Sequence, residues 1–285
     1  MVALIAALSA SADTQERKET LSIDDPRPVA AALQQLMTRH QRVITYEDPR
    51  YLHEGDIKDV TREVRKDLDR YPPGQAPTVL APRGGHIRFG SRVSTDTGQP
   101  DDWNALLTSL LEGYAARGGP RFRVEHHADF DHVIPAESRN ASGQWVKAAS
   151  ILDATVTIPE QELTKADIVE AVAKAVSAAT DVHFVVGTCL VCGPHGLAPE
   201  PTERFAVHDE RARDLLWRAV QHWRPGTSWH IYQDPGSDLY VLNLVRGPAP
   251  ATAPAPALPV LPSPPSTDSR CKPAMTRAEA AGCAQ

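Results

Sequence analysis

The chain has 285 residues, 41% hydrophobic and 23% charged, with a formal net charge of -6. That balance supplies no concentrated basic face to displace counterions from phosphate, so nucleic acid is excluded as the expected partner. At roughly 100 to 200 residues per domain the length fits two small domains. The 25 prolines, against a usual share of about 5%, mark part of the chain as linker.

The chain opens MVALIAALSASA, an apolar run ending in Ala10-Ser11-Ala12, the small-x-small pattern of a secretory cleavage site. Residues 1–19 are therefore expected to be a signal-like segment and N-terminal tail, and the mature protein is expected to be periplasmic or secreted. No other run approaches the ~20 apolar residues that span a bilayer.

Leu21-Ser22-Ile23 reads as a strand. Val29, Leu33, Leu36 and Met37 then recur at helical spacing behind Pro26 and Pro28, residues that a first helical turn tolerates. Arg42 to Tyr46, RVITY, reads as the next strand. From 47 to 101 the first module carries an insertion. Its basic run, Arg62 to Arg70, is interrupted by Glu63, Asp67 and Asp69 and reads as a solvated helical face. Arg83-Gly84-Gly85-His86 reads as a turn before a strand through Phe89. Asp24-Asp25 and Asp101-Asp102 each precede a helical pattern, where negative charge complements the helix dipole without any call for catalysis.

Leu106, Leu107, Leu110, Leu111 and Tyr114 mark a second helix, followed by the strand Arg121 to Glu125. The segment from His126 to His132, HHADFDH, gathers metal-capable side chains. Zinc needs three or four converging donors, and a strand turns His126 and His127 to opposite faces, so the segment reads as polar surface.

In the second half, Thr155 to Ile158 reads as a strand. Ile168, Val172, Ala175, Val176 and Ala179 mark a helix opened by Thr164 with Asp167, and Val182 to Val186 is the next strand. There follows TCLVCGPHG, with Cys189 and Cys192 in CxxC spacing and His195 three residues on. A thioredoxin-type dithiol needs a helix starting at the first cysteine, and Gly193, Pro194, Gly196, Pro199 and Pro201 forbid one. Zinc needs further donors, and only His183 is near in sequence. The loop is expected to hold a Cys189–Cys192 disulfide or a cross-link to the tail cysteines Cys271 and Cys283. A thiol-redox or metal site on Cys189, Cys192, His195 and His183 is the alternative.

Arg204 to Val207 reads as a strand, and Leu215, Leu216, Ala219, Val220 and Trp223 as a helix. Ser228 to Tyr232 and Leu239 to Val245 form a hairpin around Asp234-Pro235-Gly236-Ser237. Trp229, Tyr232 and Tyr240 are candidate partner-binding aromatics. Residues 247–285 are a proline-rich linker, GPAPATAPAPALPVLPSPP, and a cysteine-containing tail. No Gly-x-Ser-x-Gly elbow, phosphate-binding Gly-Lys-Ser/Thr loop, His-Glu-x-x-His helix or dinucleotide glycine fingerprint occurs. Neither catalytic residues nor a cofactor are expected.

The element order occurs twice. A shift of 139 residues puts Val29 on Ile168, Leu33 on Val172 and Val43 on Val182; a shift of 109 puts Leu106 on Leu215, Leu107 on Leu216 and Tyr114 on Trp223. The expectation is an α+β fold of two tandem two-layer modules, 20–150 and 151–246, each with amphipathic helices on one face of a small mixed sheet.

The runs VTIPEQELTKADIVEAVAKAVSAATDVHFVV and RFAVHDERARDLLWRAVQHWRPGTSWHIYQDPGSDLYVLNL resemble the STN domain. This is the short β-α-β, β-α-β-β module at the N-terminus of secretins and TonB-dependent receptors. The likeness covers about residues 154–246, and residues 20–135 match it more loosely. It implies docking, signalling or assembly in the periplasm rather than catalysis. The expected function is an extracytoplasmic, non-enzymatic binding or assembly module acting through strand edges or a sheet face, with a protein partner or self-association.

Overall fold

The computed structural model describes residues 16–72, 74–94, 102–187 and 201–247. The signal-like segment, the loop with Cys189, Cys192 and His195, and the tail with Cys271 and Cys283 lie outside these residues. The first half runs β1 (Glu16–Asp25), α1 (Pro28–His40), β2 (Val43–Glu47), β3 (Gly85–Ser94), α2 (Trp103–Ala115), β4 (Phe122–His126) and β5 (Phe130–Pro135). The second half repeats that order as β6 (Thr155–Leu163), α3 (Lys165–Thr180), β7 (His183–Val186), β8 (Glu203–Arg211), α4 (Ala212–Trp223), β9 (Ser228–Gln233) and β10 (Leu239–Val245). The fold is α+β.

Local chemistry sets the helix ends. Thr164 and Asp167 form the expected capping box on α3, each side chain accepting from the other residue's backbone N–H, at 3.2 and 3.3 Å. Asp102 caps α2 through the Ala105 N–H at 3.0 Å. The α1 and α3 helices both stop on a left-handed residue, Gln41 (φ 53°) and Asp181 (φ 54°), 140 positions apart. In α4, Leu215, Leu216, Ala219 and Val220 are fully buried on one stripe; each larger side chain contributes about 1.5–3 kcal/mol.

The repeat extends to strand register. Val133 on β5 lies opposite both Tyr46 on β2 and Val124 on β4. Leu242 on β10 lies opposite both Val186 on β7 and Ile231 on β9. Tyr46 therefore corresponds to Val186, and Val124 to Ile231. Four strands outside the central sheet form two antiparallel ribbons, β1 with β3 and β6 with β8, one in each half.

The two expected sheets are joined. The central sheet has six strands in the order β7-β10-β9-β2-β5-β4, with β9 and β2 meeting in parallel at the centre. Its two faces are covered by different helix pairs. Ile44, Tyr46 and Val133 pack with α1 and α2, whereas Phe184, Trp229, Ile231 and Leu242 pack with α3 and α4. A lone β2 or β9 edge would leave backbone donors and acceptors unpaired, and the joint satisfies them.

The insertion is shorter than 47–101, because β3 within it is the counterpart of β8. What is extra is a wall containing the turn Glu54–Asp56, a ladder of Ile57–Asp59 with Leu80–Pro82, and a single helical turn, Thr61–Val64. The basic run thus sits on turns rather than on a helical face.

Candidate functional site

Three features distinguish the surface and its seams: the central joint, the two outer strand edges, and a cleft under the insertion.

The central joint is only two register pairs long, His230 with Tyr46 and Ile231 with Glu47, extended by the Asp48 N–H to the Ile231 carbonyl at 2.9 Å. The Ser228 hydroxyl donates to the Ile44 carbonyl. Side chains reinforce it on both faces. On the α4 face, Arg213, 0% exposed, donates to Glu47, to Ser150 Oγ at 2.9 Å and to Asp153 at 2.9 Å. Burial pushes its pKa down to about 10, so it stays charged at neutral pH. Beside it Arg211 grips Glu125 with two nitrogens, at 2.8 and 3.1 Å, a fork geometry that gives strength and direction. Burial raises the Asp153 pKa, but hydrogen bonds from Arg211 and Arg123 outweigh it and hold the carboxyl below its ordinary range. Trp217 of α4 stacks on Phe130, with ring centroids 3.7 Å apart.

On the opposite face, buried Asp48 accepts from Arg27 Nε at 2.6 Å, the Tyr46 hydroxyl at 2.9 Å and the Gln233 N–H at 3.1 Å. Burial raises its pKa against the pull of Arg27. Arg27 also donates to the Gln233 carbonyl at 2.9 Å. These contacts tie residues of one half to residues of the other, and Glu47, Asp48, Ser150 and Ile231 also line a cavity.

Two histidines are walled into the sheet. Burial pushes His230 down to about 4. Burial, with His127 and Arg211 nearby, pushes His132 down to about 3. His132 pairs with the Thr45 hydroxyl. Asp131 is 0% exposed and accepts from Arg42 Nε at 2.6 Å and Trp103 Nε1 at 2.8 Å. The polar-surface reading of HHADFDH is corrected here: its end is strand β5, and partners far away in sequence bury it.

The outer edges are β4 and β7. The odd-numbered residues of β4 bond to β5, as the Ala136 N–H to Arg121 carbonyl (2.8 Å) and His127 N–H to Phe130 carbonyl (2.9 Å) bonds show. Phe122, Val124 and His126 therefore turn their backbone groups outward. Between this edge and α2 lies an open groove of about 610 Å³, bordered by Thr108, Leu111, Ala115, Phe122 and Val124. On β7, the bonds from His183 N–H to Asp238 and from Gly187 N–H to Leu242 leave Phe184 and Val186 facing outward. The Ser177 hydroxyl occupies both backbone groups of Phe184, at 2.9 and 3.1 Å, so only Val186 is free among the described residues of that edge. Val185, 42% exposed, projects from the sheet face opposite α3 and α4.

The cleft, about 280 Å³, lies between the insertion wall, the end of β2 and the turn after α2. Arg50, Arg83, Arg117, Arg139 and His86 line it against a single carboxylate, Asp56, with Trp145 and Tyr51 as flat walls.

Of the residues singled out in the sequence, Trp229 is corrected: it is 0% exposed in the α3/α4 core, because the sheet is covered on both faces. Tyr240 packs in the same core at 6% exposure and borders a cavity of about 200 Å³. Tyr232 is half-buried beneath Arg27, whose guanidinium lies 4.6 Å from the ring centroid. His183 is exposed on β7. Sequence reasoning missed the Arg213 lock, the Asp48 cluster and the cleft. No group of three or more metal-capable side chains converges among the described residues, and no helix among them is long and apolar enough to cross a membrane. Compared with protein-family models, curated proteins and solved structures, the chain has no match.

Proposed function

We propose that the protein is an extracytoplasmic, non-enzymatic assembly module, STN-like in its second half, whose copies join head to tail through the outer edges of the central sheet. The supporting observation is the repeated register. The internal joint pairs β9 with β2, and the strands left at the two ends are their counterparts, β4 for β9 and β7 for β2. A second copy therefore presents to β4 the kind of edge that β2 presents to β9.

The counterparts of Tyr46 and Glu47 in that joint are Val186 and Gly187, next to the position that Ser177 occupies. In this arrangement Val185 of the incoming copy faces α2 and enters the groove between Thr108, Leu111 and Ala115. The contact is heterologous, so it leaves an open edge at each end and allows further addition.

Two variants block opposite sides of the joint: Val185→Lys on β7 and Ala115→Trp in the groove. The wild type is expected to show concentration-dependent oligomers by sedimentation velocity, and each variant alone to stay monomeric. Mixed together, they retain one intact β4 edge and one intact β7 edge and are expected to form a dimer that grows no further. A wild type that remains monomeric to millimolar concentration, or a mixture that stays monomeric, contradicts the proposal.

A further inference from the structure

The cleft under the insertion has no counterpart in the second half and plays no part in the sheet edges. Its charge is unlike that of the rest of a chain whose formal net charge is -6. Two of its four arginines are neutralised, Arg50 by Asp238 and Arg139 by Asp56 at 3.2 Å. The other two spend their nitrogens on neutral carbonyls. Arg83 donates to Gly55 at 2.7 Å and Ile57 at 3.1 Å, and Arg117 to Arg88 at 3.1 Å. A carbonyl satisfies a donor without cancelling its charge, so Arg83 and Arg117 both bring positive charge to one concave lining whose single carboxylate, Asp56, is engaged by Arg139. Arg139, whose Nε is buried without a partner, stacks its guanidinium 4.7 Å from the Trp145 ring centroid.

Backbone shape keeps the cleft open. Gly84 has φ +79° and a Cβ there would lie 2.5 Å from the Asp25 carbonyl, while a Cβ on Gly119 would run into the Tyr114 ring. Larger residues at these two positions would displace the turns that border the site.

We propose that this cleft binds a compact dianion, a small dicarboxylate or a phosphate, held between the Arg83 and Arg117 guanidiniums with its body against Trp145 and Tyr51. The planar guanidinium fork suits either anionic group, and the volume of about 280 Å³ fits a small metabolite rather than a polymer. Binding is independent of head-to-tail assembly, because none of these residues lies on β4 or β7.

The probes are succinate, inorganic phosphate and the neutral, isosteric succinamide, titrated by calorimetry into the full chain at low ionic strength. One of the two anions is expected to bind at one site per chain and succinamide not at all; whichever anion binds identifies the carboxylate or the phosphate source. Arg83→Gln with Arg117→Gln is expected to weaken binding by roughly a hundredfold, about tenfold for each charge-assisted contact. The exposed Arg62→Gln is expected to change nothing. Because Arg83 also braces the insertion, Arg117→Gln alone is the second variant, with a loss of roughly tenfold. The idea is overturned if neither anion binds, if succinamide binds as well as succinate, or if Arg117→Gln binds like the wild type.

Discussion

The inner joint and the outer edges are made from equivalent strands, but their reinforcement differs. At the inner joint α4 contributes Arg213, locked between Glu47, Ser150 and Asp153, and Trp217, stacked on Phe130. At the 109-residue shift that aligns α2 with α4, those positions are Asn104 and Thr108. Glu47 itself corresponds to Gly187. The strand geometry is repeated while the ionic lock and the aromatic plug are not. The inner joint is therefore part of the folding unit, and the proposed outer joint, lacking both anchors, is expected to be weak and reversible. The β7 edge does not invite indiscriminate pairing, because Ser177 covers Phe184 and the strand is only four residues long.

Breaking the lock should have the largest effect. Arg213→Ala strands buried Glu47 without its cation and is expected to cost about 3–5 kcal/mol of stability, measured by urea denaturation. The double variant Arg213→Met/Glu47→Leu, which removes both charges, is expected to recover most of that loss. Trp217→Thr makes the inner joint resemble the outer one. For a half-buried tryptophan, the expected loss is about 2–3 kcal/mol, with Phe130 left exposed to solvent.

Acid tests the same seam, since His230 and His132 flank it. Their folded pKa values, about 4 and about 3, lie below the ordinary 6.5, so the unfolded chain takes up the protons first. Stability is then full above about pH 6.5 and falls as the pH drops toward the folded values, by about 2 kcal/mol per ring at pH 5. His230→Phe should remove one ring's share of that slope, which is visible as a flatter dependence of the urea midpoint on pH. The smallest effect belongs to Ser177→Ala. It is expected to cost about 1 kcal/mol and, by freeing the backbone of Phe184, to lengthen the outer joint and shift sedimentation toward larger species.

Much of the fold was legible because its signals are local. Apolar spacing marked all four long helices, Thr164 with Asp167 marked a start, and Pro235-Gly236 marked the hairpin. The joining of the halves was not legible, because edge pairing depends on strands about 185 residues apart, such as Tyr46 and His230. For the same reason Asp131 and His132 read as surface: their partners, Arg42, Trp103 and Thr45, stand 28 to 89 residues away. Arg213 sits in an ordinary polar stretch of an amphipathic helix, and only the neighbouring half shows that this stretch is buried. The β3 strand was legible through Phe89, and Gly90 hid its continuation to Ser94. The cleft arginines are scattered from position 50 to 139 and have no shared motif.

Amide hydrogen exchange tests the equivalence of the inner and outer edges most directly. The amide of Ile231, at the inner joint, should be protected at every protein concentration. The amides of its counterpart Val124 and of Val186 should exchange fast in dilute solution and become protected together as concentration rises. Protection at Val124 and Val186 that stays low and independent of concentration, or that rises at one without the other, would contradict head-to-tail pairing of the sheet.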